Sequence, residues 1–156
     1  MKNLSIILPA YNESGSIEII VKKIFFVLKK KKINSFKVIV VNDGSTDKTL
    51  DKCKVLKKKF KKFDYLDLKK NIGKAYAIDK GIENSNSNWI CIIDADLQYD
   101  PNYLGIFLRK ENSVYDFINS KRNKRNDSFF TIFGSNLYYF FLNFLFKKKY
   151  DYFSGL

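Results

Sequence analysis

Histidine is absent from the 156-residue chain. That absence excludes imidazole metal ligands, Ser-His-Asp triads and Cys-His pairs. Any general base must then be a carboxylate, or the chemistry must need none. Cysteine occurs only twice, at Cys53 and Cys91, without CxxC spacing. Two buried, reduced thiols are expected, as in a cytosolic protein. Neither GxxxxGK[ST] nor GxGxxG occurs, so the phosphate cradles of P-loop and dinucleotide-binding proteins are missing. The apolar run in "MKNLSIILPAYNE" is too short for a signal peptide. No internal repeat or domain linker interrupts the chain. Acidic residues are scarce: 16 Asp and Glu stand against 29 Lys and Arg, a formal net charge of +13. Such a balance favours phosphate-bearing partners, whether nucleic acid, anionic membrane or nucleotide. A Lys- and Asn-rich composition with solvated surface lysines accounts for the count equally well.

Apolar residues make up 46% of the chain, enough for a packed core. Residues 4–8 form a short apolar run ended by Pro9, which predicts a buried strand. Ile17, Ile20, Val21, Ile24 and Leu28 follow helical spacing. Ser14 or Ser16 can cap this helix, and Lys29, Lys30, Lys31 and Lys32 suit its negative end. Residues 37–41 predict a second strand. The turn cluster "NDGSTDKT" follows, with an N-cap at Ser45 or Thr46. Leu50, Cys53, Leu56 and Phe60 mark a second helix, and residues 63–68 a third strand. "NIGKAYAIDKGI" predicts a loop and a helix with Ala75, Ile78 and Ile82 on one face. Residues 89–93 predict a fourth strand and residues 115–119 a fifth.

Alternating strands and helices define an α/β domain with a mostly parallel sheet, whose ligands bind beyond the carboxyl ends of the strands. Three polar clusters fall there: "PAYNE", "NDGS" and "DADLQ". Residues 129–146 differ in kind, being uncharged and rich in Phe and Tyr. Thr131, Ser135, Tyr139 and Asn143 form a polar stripe opposite Phe130, Phe133, Leu137, Phe140, Phe144 and Leu145. The pattern predicts an amphipathic helix over 128–149, suited to a membrane interface. A core helix or a membrane span are the alternatives.

"DADLQ" places two carboxylates one residue apart at a strand end. A hard divalent cation takes oxygen ligands and often shares them with phosphates. Asp94 and Asp96 are expected to share a cation where the chain turns at the strand end. One of them can instead act through water or bind a ribose, and Gln98 can add a neutral oxygen. The simpler alternative is a pair of carboxylates capping a helix near Pro101. Asp43, beside a glycine turn, can accept hydrogen bonds from a nucleobase or ribose, or serve an ordinary turn. In "SKRNKRND", Lys121, Arg122, Lys124 and Arg125 form either a phosphate-binding loop or a solvated one.

Together "LPAYNES", "VVNDGSTDKT", "NIGKAYAIDKGI" and "DADLQYDP" resemble, in order and spacing over residues 4–101, the motifs of the family 2 glycosyltransferases of GT-A fold. "DADLQ", "KRNKRNDSF" and "DYFSGL" resemble a narrower group, the polyprenyl-phosphate glycosyltransferases of the dolichyl-phosphate mannose synthase and undecaprenyl-phosphate type. The resemblance implies a Rossmann-like, mostly parallel sheet with helices on both faces. It implies a single catalytic domain over residues 1–156, truncated at its C-terminus relative to the family. It implies inverting transfer of a sugar from a UDP- or GDP-sugar donor to a polyprenyl phosphate, with Mg²⁺ or Mn²⁺. By motif, Pro9, Tyr11, Glu13, Asp43 and Lys74 belong to the nucleotide site. Asp94, Asp96 and Gln98 would hold the metal and diphosphate, with Asp96 counted as catalytic. Arg122 and Arg125 would meet donor or acceptor phosphates. A lipid phosphate is already a nucleophile, which fits a chain without histidine. If the acceptor is instead the sugar hydroxyl of a cell-surface glycan, Asp151 is the candidate base. An inactive nucleotide-sugar-binding fragment is the third alternative.

Three positions depart from the family pattern: Asn42 replaces an expected acid, Ser120 a glycine, and Ile132 a frequent basic residue. The expected location is cytoplasmic, peripheral on the cytosolic face of an anionic membrane. Nucleic-acid binding is not expected. No recognition motif is present, and carboxylates in the site would repel a phosphate backbone.

Overall fold

The computed structural model describes residues 3–105. The predicted strand at 115–119, the helix at 128–149, and Ser120, Arg122, Arg125, Ile132 and Asp151 lie outside these residues. The described elements alternate as the sequence pattern demands. They are β1 (Leu4–Ala10), α1 (Ile17–Lys30), β2 (Phe36–Asp43), α2 (Thr49–Lys59), β3 (Phe63–Leu68), α3 (Lys74–Glu83) and β4 (Trp89–Ile92), with a short 3₁₀ turn at Pro101–Tyr103.

The four strands form one parallel sheet in the order β3-β2-β1-β4. Every residue of β1 is buried, because it is a central strand covered on both faces. Side chains alternate between the faces. Ile6, Leu8, Val38 and Val40 pack with Ile17, Ile20, Val21, Ile24 and Leu28 of α1 and with Cys53 and Leu56 of α2. Ile7, Ile39 and Val41 face the other way and pack on Ala77 of α3.

Four local expectations need correction. Pro9 does not end β1: it pairs with Val41, and the strand continues to Ala10. Proline already holds an extended φ and gives up only one donor. The N-cap of α2 is Lys48, not Ser45 or Thr46; the Asp47 carboxylate accepts from the Thr49 amide at 2.9 Å, while Ser45 and Thr46 bond elsewhere. The packed face of α3 is Ala77, Ile78 and Gly81, leaving Ala75 and Ile82 exposed. A Cβ at Gly81 would stand 2.5 Å from Ile7 Cγ2, so the missing side chain lets α3 settle onto the sheet at that point. For α1, Ser16 is the N-cap residue, but its hydroxyl donates to Glu13 rather than accepting from the helix.

Both cysteines are free; Cys53 is buried as expected, but Cys91, on β4 at the edge of the described sheet, is only half-buried. Burial pushes the Cys53 thiol up to about 12 and the Cys91 thiol to about 11, so neither is a thiolate nucleophile at neutral pH. No helix among the described residues is long and apolar enough to cross a membrane.

Candidate active site

The strand order reverses direction at β1: β2 and β3 extend to one side of it and β4 to the other. Chains leaving β1 and β4 therefore diverge above the sheet and open a crevice, the place where parallel sheets bind ligands. A cleft of about 200 Å³ lies there, lined by Pro9, Ala10, Tyr11, Glu13, Asp43, Lys74, Asp94, Ala95 and Asp96. Seven of these are residues singled out from the sequence, contributed by all four motifs.

The "DAD" segment turns immediately after β4. Ala95 is buried, Leu97 takes a left-handed φ of 64°, and the Asp96 carboxylate accepts from the Gln98 amide at 3.0 Å. Asp94 and Asp96 both line the cleft, as residues two apart on an extended chain share a side. They do not cap the segment at Pro101. That role falls to Asp100, which accepts from the Asn102 amide at 3.0 Å. Gln98 is exposed and is not among the cleft-lining residues described.

Asp43 ends β2 and is only 3% exposed. Its two oxygens accept the backbone N–H groups of Ile72 and Gly73, each at 2.9 Å. Asp43 thereby holds the loop that starts α3. Gly73, with φ 117°, sits at the N-cap, and Lys74 opens the helix. The Lys74 ammonium reaches across the cleft to Asp94 Oδ1 at 2.7 Å.

Sequence reasoning missed the ties between the first and second motif loops. Asn12 has a left-handed φ of 57°. Its amide donates to Ser45 Oγ at 2.9 Å, and its side-chain oxygen accepts from the Thr46 amide at 2.8 Å. The Glu13 amide donates to Thr49 Oγ1 at 2.8 Å, and the Ser14 amide to Asp47 Oδ2 at 3.0 Å. These bonds fix Tyr11 and Glu13 beside Asp43. The only local signal was the abundance of Asn, Ser, Thr and Asp, residues that bond to nearby backbone.

Asp47 makes this tie sensitive to acid. Desolvation opposes its ionisation, but the hydrogen bonds from Thr49 and Ser14 outweigh it and hold the carboxyl at about 2, below the ordinary 3.8. A depressed folded-state pKa contributes stability that is present above about pH 4 and lost as pH falls towards 2. In urea unfolding followed from pH 6 to pH 2, Asp47→Asn should flatten part of the acid limb. An unchanged limb would remove Asp47 as a contributor.

Asn42, where the family pattern has an acid, is buried and donates to Asp67 Oδ1 at 2.8 Å. A carboxylate there would face another carboxylate. Asn42→Asp should destabilise the fold by about 2–3 kcal/mol at pH 7, and by less at pH 5, where one of the pair can hold a proton. Equal penalties at both pH values would contradict this.

Among the described residues, no three acidic or thiol groups gather into a protein-only metal cage. Two carboxylates on one turn do suit a hard cation that completes its shell with substrate phosphates and water, as Mg²⁺ does.

The fold and this cleft define a nucleotide-diphospho-sugar transferase architecture of GT-A type. The sequence model of glycosyl transferase family 2 matches residues 5–155, and the chain belongs to that family. It is 34% identical over 143 residues to CsbB of Bacillus subtilis, a protein named as a glycosyltransferase, covering 90% of this chain and 42% of that one. It is 28% identical over 131 residues to the undecaprenyl-phosphate 4-deoxy-4-formamido-L-arabinose transferase of Photorhabdus laumondii, covering 83% of this chain and 40% of that one. The chain thus spans about two fifths of the length of the curated relatives it matches. Among solved structures, it is similar to the mannosyltransferase PcManGT of Pyrobaculum calidifontis in complex with GDP-Man and Mn²⁺. The TM-score is 0.55 at 24% identity, over 61% of this chain and 28% of that one, and the likeness speaks for the fold.

Proposed function

We propose that this domain binds a nucleotide-sugar and a divalent cation in the cleft above β1 and β4, and serves an inverting transfer of the sugar to a polyprenyl phosphate at a membrane surface. The observation that carries the reading is the convergence of all four motifs on one crevice, with Asp94 and Asp96 both lining it just after β4. The relative that acts on undecaprenyl phosphate supports the acceptor class.

Tyr11, Glu13 and Asp43, which line the cleft, would contact the nucleoside. Asp94 and Asp96 would hold Mg²⁺ or Mn²⁺, whose charge offsets that developing on the departing diphosphate. In the transfer, an acceptor phosphate oxygen bonds to the anomeric carbon as the bond from that carbon to the diphosphate breaks, and the nucleoside diphosphate leaves. A phosphate acceptor carries no proton that must be removed. Arg122 and Arg125 are proposed phosphate contacts, and Asp151 the base if the acceptor is a hydroxyl. The uncharged, aromatic segment 129–146, followed by Lys147, Lys148 and Lys149, supports attachment to an anionic surface.

Calorimetric titration of the full chain with UDP and GDP, with and without Mn²⁺, tests the donor site. Metal-dependent binding of one nucleotide is expected. No binding of either by a folded chain would overturn the reading.

A further inference from the structure

From the ion pair across the cleft, we infer that Lys74 is a resident counter-ion that competes with the divalent cation for Asp94, so that metal binding becomes conditional on the donor. This rests on the donor-site reading above. The Lys74 ammonium lies 2.7 Å from Asp94 Oδ1; the Asp94 side chain is half-buried and that of Lys74 is exposed. A cation arriving at Asp94 alone must displace an ammonium already there, or sit beside a like charge at a few ångströms.

Lys74 is not held there by chance of a long side chain. It is the first residue of α3, and the loop before it is pinned by Asp43 through the Ile72 and Gly73 amides. Asp43 is therefore a positioning residue for Lys74, and the buried carboxylate acts across the cleft through the backbone it holds. A nucleoside diphosphate brings two things at once: oxygens that complete the metal's coordination shell, and a second anion to which Lys74 can turn. With the diphosphate present, Lys74 leaves Asp94 to the metal at little electrostatic cost. Without it, Asp94 stays paired and the metal binds weakly.

The test is Mn²⁺ binding measured by calorimetry and by the electron paramagnetic resonance signal of free Mn²⁺, on the full chain, first with Mn²⁺ alone and then with UDP or GDP. Lys74→Met keeps the unbranched stem of the side chain as far as Cε and removes the charge. It should bind Mn²⁺ alone about tenfold more tightly than the unaltered chain, and bind the nucleotide with Mn²⁺ more weakly. Lys74→Arg should restore weak binding of Mn²⁺ alone. The inference is overturned if the unaltered chain binds nucleotide with Mn²⁺ but Lys74→Met leaves the affinity for Mn²⁺ alone unchanged or lower. If neither the unaltered chain nor Lys74→Met binds Mn²⁺ under any condition, the donor-site reading fails and the inference falls with it.

Discussion

Asp96→Asn is expected to lower metal-dependent nucleotide affinity by at least about a hundredfold while leaving the fold intact. The two halves of this result have separate causes. An amide oxygen is a much poorer ligand for a hard cation than a carboxylate, and losses of roughly 10–100-fold follow even from disturbing the partners of ligands. The fold should survive because the turn uses Asp96 only as an acceptor for the Gln98 amide, and the asparagine oxygen can keep that bond. Asp96 is also exposed, so no buried charge is removed. Calorimetry with UDP or GDP and Mn²⁺ reads the first effect, and thermal unfolding the second. Unchanged nucleotide binding would remove Asp96 from the site.

Gly44→Ala should be the most damaging single-methyl change among the described residues. Gly44, in the "NDGS" turn, has a left-handed φ of 65°, which costs a residue with a Cβ about 1–2 kcal/mol. The added Cβ would also fall 2.3 Å from the Lys70 carbonyl carbon and 2.4 Å from the Asn71 nitrogen. These are backbone atoms, so no side chain can rotate away. They belong to the loop that Asp43 holds, so relief of the collision must displace Ile72, Gly73 and Lys74. Strain and overpacking together predict a loss of about 3–5 kcal/mol and a fall in Tm of more than about 10 °C. Nucleotide binding should weaken in whatever fraction remains folded. A loss below about 1 kcal/mol would show that the loop can yield. By contrast, a methyl added at Gly15 would meet nothing within 4 Å, and the φ there is ordinary, so Gly15→Ala serves as the control.

Much of the architecture was legible because its signals are local. Buried parallel strands read as continuous apolar runs, and β1 and β2 do so. The spacing of Ile17, Ile20, Val21, Ile24 and Leu28 placed α1 with its buried face correct. The misreadings came where packing outweighed periodicity. Ala75, Ile78 and Ile82 satisfy helical spacing, yet Gly81 allows close approach to Ile7 and Val41 and so turns Ala77 inward. Ser45 and Thr46 are good capping residues, yet both are drawn to Asn12, 33 and 34 residues earlier.

The candidate site divides in the same way. The sequence by itself determined which residue types stand at the carboxyl ends of β1, β2 and β4, because strand order along the chain and the polar break after each strand are local properties. It also determined the family, through four motifs in fixed order. Only the tertiary structure decided which of these groups meet. Asp43 could be read as a nucleoside contact or a turn residue, but its partners Ile72 and Gly73 come 29 and 30 residues later. Lys74 and Asp94 become neighbours because α3 begins, and β4 ends, at the carboxyl ends of the parallel strands. The physical reason is that hydrophobic patterning specifies elements and faces, whereas ion pairs and backbone hydrogen bonds depend on distances set only when the strands lie in register.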